Sequence, residues 1–186
     1  AVDSAQSRLP RRSLRHRLVH TQILSPNLIT EMRRARIVAD VQTKFLTTDM
    51  RWAQERVGAQ RMRSSYAWRT MLKAGIPLAG GSDCPVEPAD PLWGIYAAVT
   101  RKDMDGNPEG SFFPNERITA EEALRMFTEG GAFGESREDH KGTLECGKLA
   151  DFVVLSQDMF MVAPEEIKDI SVLMTVVGGQ IAYQKA

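Results

Sequence analysis

The feature that most constrains the fold of this chain is an alternation of short strand-like segments with stretches of helical pattern in its first half. Short strands are predicted at 15–20, 37–42 and 76–81, of which 37–42 is dense in β-branched residues and 76–81 is a short apolar run. Between the first two, Ser25 followed by Pro26 is a helix-start signal. Strands separated by helices pair in parallel through right-handed crossovers. The pattern predicts an α/β fold in which the carboxyl ends of the strands share one edge.

Further elements follow from local signals. We predict a helical stretch that starts at Asp49, then a continuous helix from Ala59 to Ala74 that ends at Gly75. A helix is also predicted over 93–99, and another after the Thr119 capping box, stopped by Gly130 and Gly131. Toward the C-terminus, strands are predicted at 151–155, 173–177 and 181–183, with a tight turn at Gly178 and Gly179.

Charge and cysteine content limit the function classes. The 186 residues carry 24 Lys and Arg against 24 Asp and Glu, which argues against a dedicated nucleic-acid-binding protein. The basic residues are concentrated in residues 1–73, so a phosphate- or nucleic-acid-binding half is a weaker hypothesis, and it predicts steeply salt-dependent binding. Cys84 and Cys146 are expected to be reduced thiols in a cytoplasmic protein. No apolar stretch approaches the roughly 20 residues of a transmembrane helix, so no membrane association is expected.

Two residues that follow predicted strands are candidates for chemistry. His20 closes the first strand, and Asp83 follows the pair Gly80 and Gly81 at the end of the third. An imidazole and a carboxylate at one sheet edge suit Zn²⁺ or another divalent ion. The alternatives are a core histidine at His20, and an Asx turn or helix cap at Asp83. A catalytic site usually needs three protein ligands, so this pair is incomplete.

Other residues of these types are assigned to structure. His16 lies about 13 Å below His20 along a strand, too far to share its ion, and is interpreted as a packing residue. His140 stands among charged residues and is expected to be solvated. Tyr66 and Trp68 have helical spacing with Met71, which predicts core packing.

Three motifs carry a family resemblance over nearly the whole chain. They are Arg-Leu-Val-His-Thr-Gln at 17–22, Gly-Ser-Asp-Cys-Pro-Val at 81–86, and a stretch at 142–155 that contains Gly-Lys-Leu-Ala-Asp before a strand. Together they resemble the C-terminal half of a metal-dependent amidohydrolase, closest to the subgroup that includes N-substituted formamide deformylases.

The resemblance implies a fold and a reaction. The fold is the C-terminal portion of a (β/α)₈ TIM barrel, the last three β/α units over 1–145, followed at 146–186 by strands of a small β-sandwich. His20 is implied as the metal ligand of strand six, and Asp83 as the strand-eight residue that touches the metal and acts as general base. The implied cofactor is a divalent metal, zinc by family expectation. The implied reaction is hydrolysis of carbon–nitrogen bonds, other than peptide bonds, in a small amide-type substrate.

The family's ligands from barrel strands one, four and five have no counterpart here. We therefore expect a C-terminal piece of a longer enzyme, with little activity alone, that associates with the missing half of the barrel or with itself. The alternative is a non-enzymatic half-barrel module that oligomerises through its exposed sheet edge. Stable, metal-free oligomers would favour that alternative.

Overall fold

Residues 1–10 and 14–186 are described by a computed structural model. Its strands are β1 (Arg17–Val19), β2 (Val38–Val41), β3 (Leu78–Gly80), β4 (Phe152–Leu155), β5 (Val172–Val177) and β6 (Gln180–Gln184). Its α-helices are α1 (Val2–Arg8), α2 (Pro26–Arg34), α3 (Phe45–Asp49), α4 (Ala53–Val57), α5 (Ala59–Met62), α6 (Trp68–Lys73), α7 (Pro91–Thr100), α8 (Ala120–Phe127) and α9 (Glu129–Gly134). Short 3₁₀ helices lie at Pro114–Glu116 and Pro164–Asp169.

The first sheet has the order β1-β2-β3, and both pairings are parallel. β2 is the central strand and is almost completely buried, as expected for a β-branched strand covered on both faces. In the register, Val19 lies opposite Asp40, and Asp40 lies opposite Ala79. This confirms the predicted α/β class and places the carboxyl ends of all three strands along one edge.

Two helix starts follow the predicted capping signals. Ser25 Oγ accepts a hydrogen bond from the Leu28 amide at 3.3 Å at the start of α2. At α8, Thr119 Oγ1 accepts from the Glu122 amide at 3.1 Å, while the Glu122 carboxylate accepts from the Thr119 amide at 2.7 Å. Each cap satisfies backbone donors that the first helical turn leaves free.

The predicted continuous helix from Ala59 to Ala74 is wrong, because it is broken between α5 and α6. The Tyr66 amide donates to Gln22 O at 2.7 Å instead of to a helical carbonyl, and Tyr66 has a φ of 50°. A long-range contact has therefore replaced the local hydrogen bond. The end of the segment at Gly75 is as predicted, with a φ of 75°. Tyr66 and Trp68 are buried in the core, as expected.

Two other helix boundaries also differ from the predictions. Asp49 ends α3 rather than beginning a helix. Gly130 and Gly131 do not stop a helix but lie within α9. A Cβ on Gly130 would lie 2.0 Å from Leu78 O, so this glycine permits close approach of α9 to β3.

The second sheet is antiparallel with the order β4-β5-β6, and its hairpin turns at Gly178 and Gly179, as predicted. The segment between β4 and β5 turns back onto α7, and its Ile167 and Ile170 belong to the same hydrophobic core as Tyr96. The two sheets are therefore joined through shared packing. Within the part of the chain described, no helix is long and apolar enough to cross a membrane.

Candidate active site

His20 and Asp83 both follow carboxyl ends of the parallel strands. The His20 amide donates to Asp40 O at 2.7 Å, which extends the pairing of β1 and β2 by one residue. On the other side of β2, the Gly81 amide donates to Val41 O at 3.0 Å, two residues before Asp83. The strands that lead to the two candidates, β1 and β3, thus flank β2 and are two strand spacings, about 9.5 Å, apart. Both candidates have left-handed backbone angles, with φ of 70° at His20 and 58° at Asp83.

The His20 imidazole is held on two sides. Its Nδ1 is 2.8 Å from Gln42 Oε1, and its ring stacks on Phe45 with centroids 5.6 Å apart. No described residue forms a hydrogen bond with Nε2. His20 is thus not the fully packed core histidine of the alternative reading, since one ring nitrogen is left for another partner.

Gln42 is a residue of this edge that sequence reasoning missed. It is 6% exposed, and its Nε2 donates to Asp40 Oδ1 at 3.0 Å. Asp40 in turn lies 3.5 Å from Arg17 Nη1. The signal that could have revealed it is its place directly after β2, one residue beyond Val41, which pairs with the last residue of β3.

The Asp83 side chain is exposed, and within the described ranges no group donates a hydrogen bond to its carboxylate. The side chain that makes the local turn is Ser82, whose Oγ accepts from the Cys84 amide at 3.2 Å. The cap of the next helix is Asp90, which accepts from the Leu92 amide at 2.9 Å. Neither structural alternative for Asp83 is therefore observed, and its carboxylate is available to an ion or a proton.

A buried ion pair joins the loops that follow β2 and β3. Lys44 Nζ lies 3.3 Å from Glu87 Oε2, and Thr48 Oγ1 donates to Glu87 Oε1 at 2.5 Å. Both charged side chains are about 90% buried, at 10% and 11% exposure. The pair anchors the loop that carries Asp83, because Glu87 lies four residues after Asp83 in the same loop. The sequence alone gave no indication of this ion pair.

A second network lies beside the His20 loop. Asp49 Oδ2 accepts from Gln22 Nε2 at 3.0 Å and from the Tyr66 hydroxyl at 2.5 Å. Burial, together with this carboxylate, raises the pKa of Tyr66 above its usual value. Arg101 is fully buried and donates a hydrogen bond from Nη1 to Tyr66 O at 2.9 Å. Burial lowers the pKa of Arg101 to about 10. These contacts fix the residues directly after His20.

The remaining histidines stand apart from this edge. His16 Nε2 is 3.1 Å from Gln6 Nε2, and His140 is exposed, as expected. Among residues 1–10 and 14–186 no group of three or more His, Cys, Asp or Glu side chains could hold a metal ion. His20 and Asp83 are the candidate ligands at this edge, and the chemistry of an imidazole nitrogen and a carboxylate oxygen suits a divalent metal.

Comparison with known proteins places the chain in a family. A family model described as "Amidohydrolase family" matches residues 1–183. The chain belongs to the amidohydrolase family. YtcJ of Bacillus subtilis strain 168, which its name places among the amidohydrolases, is 37% identical over 185 residues, covering 100% of this chain and 35% of that protein. The N-substituted formamide deformylase of Arthrobacter pascens is 37% identical over 117 residues, covering 63% of this chain and 21% of that one.

Solved structures agree with this assignment. A metal-dependent hydrolase of Pyrococcus horikoshii OT3 superposes with a TM-score of 0.73 at 26% identity, covering 88% of this chain and 33% of that one. This amidohydrolase chain thus spans about a third of the length of YtcJ and of the Pyrococcus hydrolase. Its α/β fold is consistent with part of a TIM barrel.

Proposed function

We propose that this chain supplies the strand-six and strand-eight side chains of a metal-dependent hydrolase that cleaves carbon–nitrogen bonds in small, non-peptide amides of the N-substituted formamide type. The observation that carries the proposal is the placement of His20 and Asp83 on either side of β2, with His20 Nε2 and the Asp83 carboxylate both free of described partners. The likeness to a formamide deformylase supports the substrate class.

The residues divide the chemistry between them. His20 and Asp83 would contribute to holding a divalent ion, for which we propose zinc because the pair combines an imidazole nitrogen with a carboxylate oxygen. When bound, such an ion lowers the pKa of water and polarises a carbonyl. The Asp83 carboxylate accepts the proton of the attacking water and then donates it to the leaving nitrogen. Its exposed position on the Gly81–Val86 loop leaves it accessible to both groups.

Because a catalytic zinc usually has three protein ligands, we propose that the others come from polypeptide outside these 186 residues. In this proposal, residues 1–145 are the last three units of a (β/α)₈ barrel, and residues 146–186 are strands of a small β-sandwich. The 186 residues alone would have little or no activity. With free thiols at Cys84 and Cys146, we also propose a cytoplasmic location.

A second candidate function rests on exposed apolar surface. Leu18 and Val19 on β1 are 44% and 51% exposed, and in the described residues β1 pairs on only one side. Ile181 and Tyr183 on β6 are 60% and 49% exposed. Such surface needs a partner. In the proposed enzyme, the partner of this surface is the rest of the barrel and sandwich. In the second candidate function, the partner is another copy of a non-enzymatic half barrel.

The test uses the longest natural polypeptide that contains this chain. His20→Ala should reduce both zinc content and turnover of an N-substituted formamide. Asp83→Asn keeps an oxygen ligand but removes the proton acceptor, so it should lower kcat by about 10²-fold or more while losing less zinc. His140→Ala, in the exposed loop, is the matched control and should match the parent protein in both assays.

Full turnover in either site variant would remove that residue from the mechanism. A metal-free protein that forms stable oligomers and shows no amide hydrolysis would favour the interaction module instead.

A further inference from the structure

Gln42 lies between the two proposed site residues and has no role in the proposed reaction. We infer that Gln42 is a positioning residue that holds His20 in the tautomer with the proton on Nδ1, so that Nε2 presents its electron pair to the ion. The relevance of this to an ion rests on the proposed function, whereas the tautomer itself does not.

The orientation of the Gln42 amide follows from Asp40. An ionised carboxylate only accepts hydrogen bonds, so the group 3.0 Å from Asp40 Oδ1 must be the amide NH₂ of Gln42. Asp40 is itself oriented by Arg17, whose Nη1 is 3.5 Å from Asp40 Oδ2. The carbonyl oxygen of the same amide must then face the other way, toward His20.

The orientation of the amide determines the tautomer of His20. Gln42 Oε1 can only accept, so at 2.8 Å the Nδ1 of a neutral His20 must carry the proton. Nε2 is then unprotonated, the form in which imidazole binds a metal. An isolated histidine prefers the opposite tautomer, so the relay from Asp40 through Gln42 reverses the intrinsic preference.

Burial and packing make this relay rigid. Gln42 is 6% exposed, so water does not readily replace either of its hydrogen bonds. A buried polar group that loses its hydrogen-bond partner lowers the stability of the fold. An ideal Cβ on Gly81 would lie 4.0 Å from Gln42 Nε2, which shows that the amide runs beside the strand that leads to Asp83. Phe45 stacks on the imidazole and limits its rotation. The orientation of the imidazole ring is therefore fixed together with its tautomer.

The direct test is ¹⁵N NMR of the imidazole nitrogens at alkaline pH, where the ¹⁵N chemical shifts themselves report that the rings are neutral. Long-range ¹H–¹⁵N correlations distinguish the two neutral tautomers, and a His20→Gln variant assigns the resonance. We expect His20 as the Nδ1–H form, while exposed His140 serves as an internal reference with the ordinary preference. An Nε2–H form at His20 in the parent protein would overturn the inference.

Two variants test the relay itself. Gln42→Met keeps the length of the side chain without its polar atoms and should return His20 toward the ordinary tautomer mixture. In Asp40→Asn, the new side-chain amide can present either a donor or an acceptor to Gln42, so the Gln42 amide can adopt either orientation. His20 should then be a mixture of its two neutral tautomers. An unchanged His140 signal and preserved amide dispersion show that each variant is folded. If the folded variants keep the pure Nδ1–H form, Gln42 does not set it and the inference is wrong.

A zinc titration of the longest natural polypeptide connects the relay to the ion. Loss of the second partner of a ligating histidine should weaken zinc binding by about 10- to 100-fold in Gln42→Met. Unchanged zinc affinity would overturn the positioning role. If the parent protein binds no zinc but shows the Nδ1–H form that Gln42→Met loses, the proposed function fails while the tautomer relay stands.

Discussion

The packing of α9 on β3 leads to a prediction with a matched control one residue away. A Cβ on Gly130 would lie 2.0 Å from Leu78 O and 3.1 Å from Leu78 C, and real Cβ contacts essentially never fall below 3.0 Å. Gly131, next to it in the same helix, has no atom within 4 Å of its ideal Cβ. The two positions share a helix but differ in the space available.

The free energy of unfolding should therefore respond differently to Gly130→Ala and Gly131→Ala. Both variants gain the same helix propensity, up to about 1 kcal/mol, because alanine restricts the unfolded chain. Only Gly130→Ala must also move α9 away from β3, and the obstructing atoms are backbone, so no side-chain rotation relieves the contact. Overpacking of this kind costs about 1–3 kcal/mol. Gly130→Ala should accordingly be less stable than Gly131→Ala by that amount.

The assay is urea and thermal unfolding of the purified protein, followed by circular dichroism. For a chain of this size, the expected difference between the variants corresponds to about 2–12 °C in Tm. The comparison removes the propensity term, which is common to both. If Gly130→Ala is as stable as Gly131→Ala, the close approach of α9 to β3 is not what requires glycine at Gly130, and the reasoning is refuted.

Three further predictions concern charge and capping. Lys44→Met should leave Glu87 as a buried unpaired charge and lower the free energy of unfolding by about 3–5 kcal/mol, and a loss below 1 kcal/mol in urea titrations would contradict this. The hydrogen bond from Arg15 lowers the pKa of Glu138 to about 2, so this carboxylate stabilises the fold above the unfolded pKa and the contribution is lost as pH falls toward 2. Since the pair is partly solvated, Glu138→Gln should remove no more than about 1 kcal/mol at neutral pH, and urea midpoints of variant and parent should converge near pH 2. Thr119→Ala should cost about 1 kcal/mol by removing the α8 cap, and an unchanged Tm would show that the cap is dispensable.

Local signals in the sequence were sufficient for the strands and the helix caps. β2 is β-branched and buried on both faces, and Ser25 and Thr119 act within three residues of themselves, so periodicity and spacing were enough to place them. The same holds for the position of His20 and Asp83 beyond the carboxyl ends of β1 and β3, since parallel strands bring those ends to one edge whatever the details of packing.

Tertiary structure decided what depends on residues distant in the sequence. The helix predicted over Ala59–Ala74 breaks because the Tyr66 amide pairs with Gln22, and Gly130 is required by the carbonyl of Leu78 rather than by the end of a helix. The contacts of Gln42 with His20 and Asp40 became visible only in the structure. The sequence alone determined the strands and the shared edge of their carboxyl ends, because those follow from hydrophobic period and chain direction. Which side chains meet there was decided by the fold, because hydrogen bonds between separate segments form only once the sheet has set their distances.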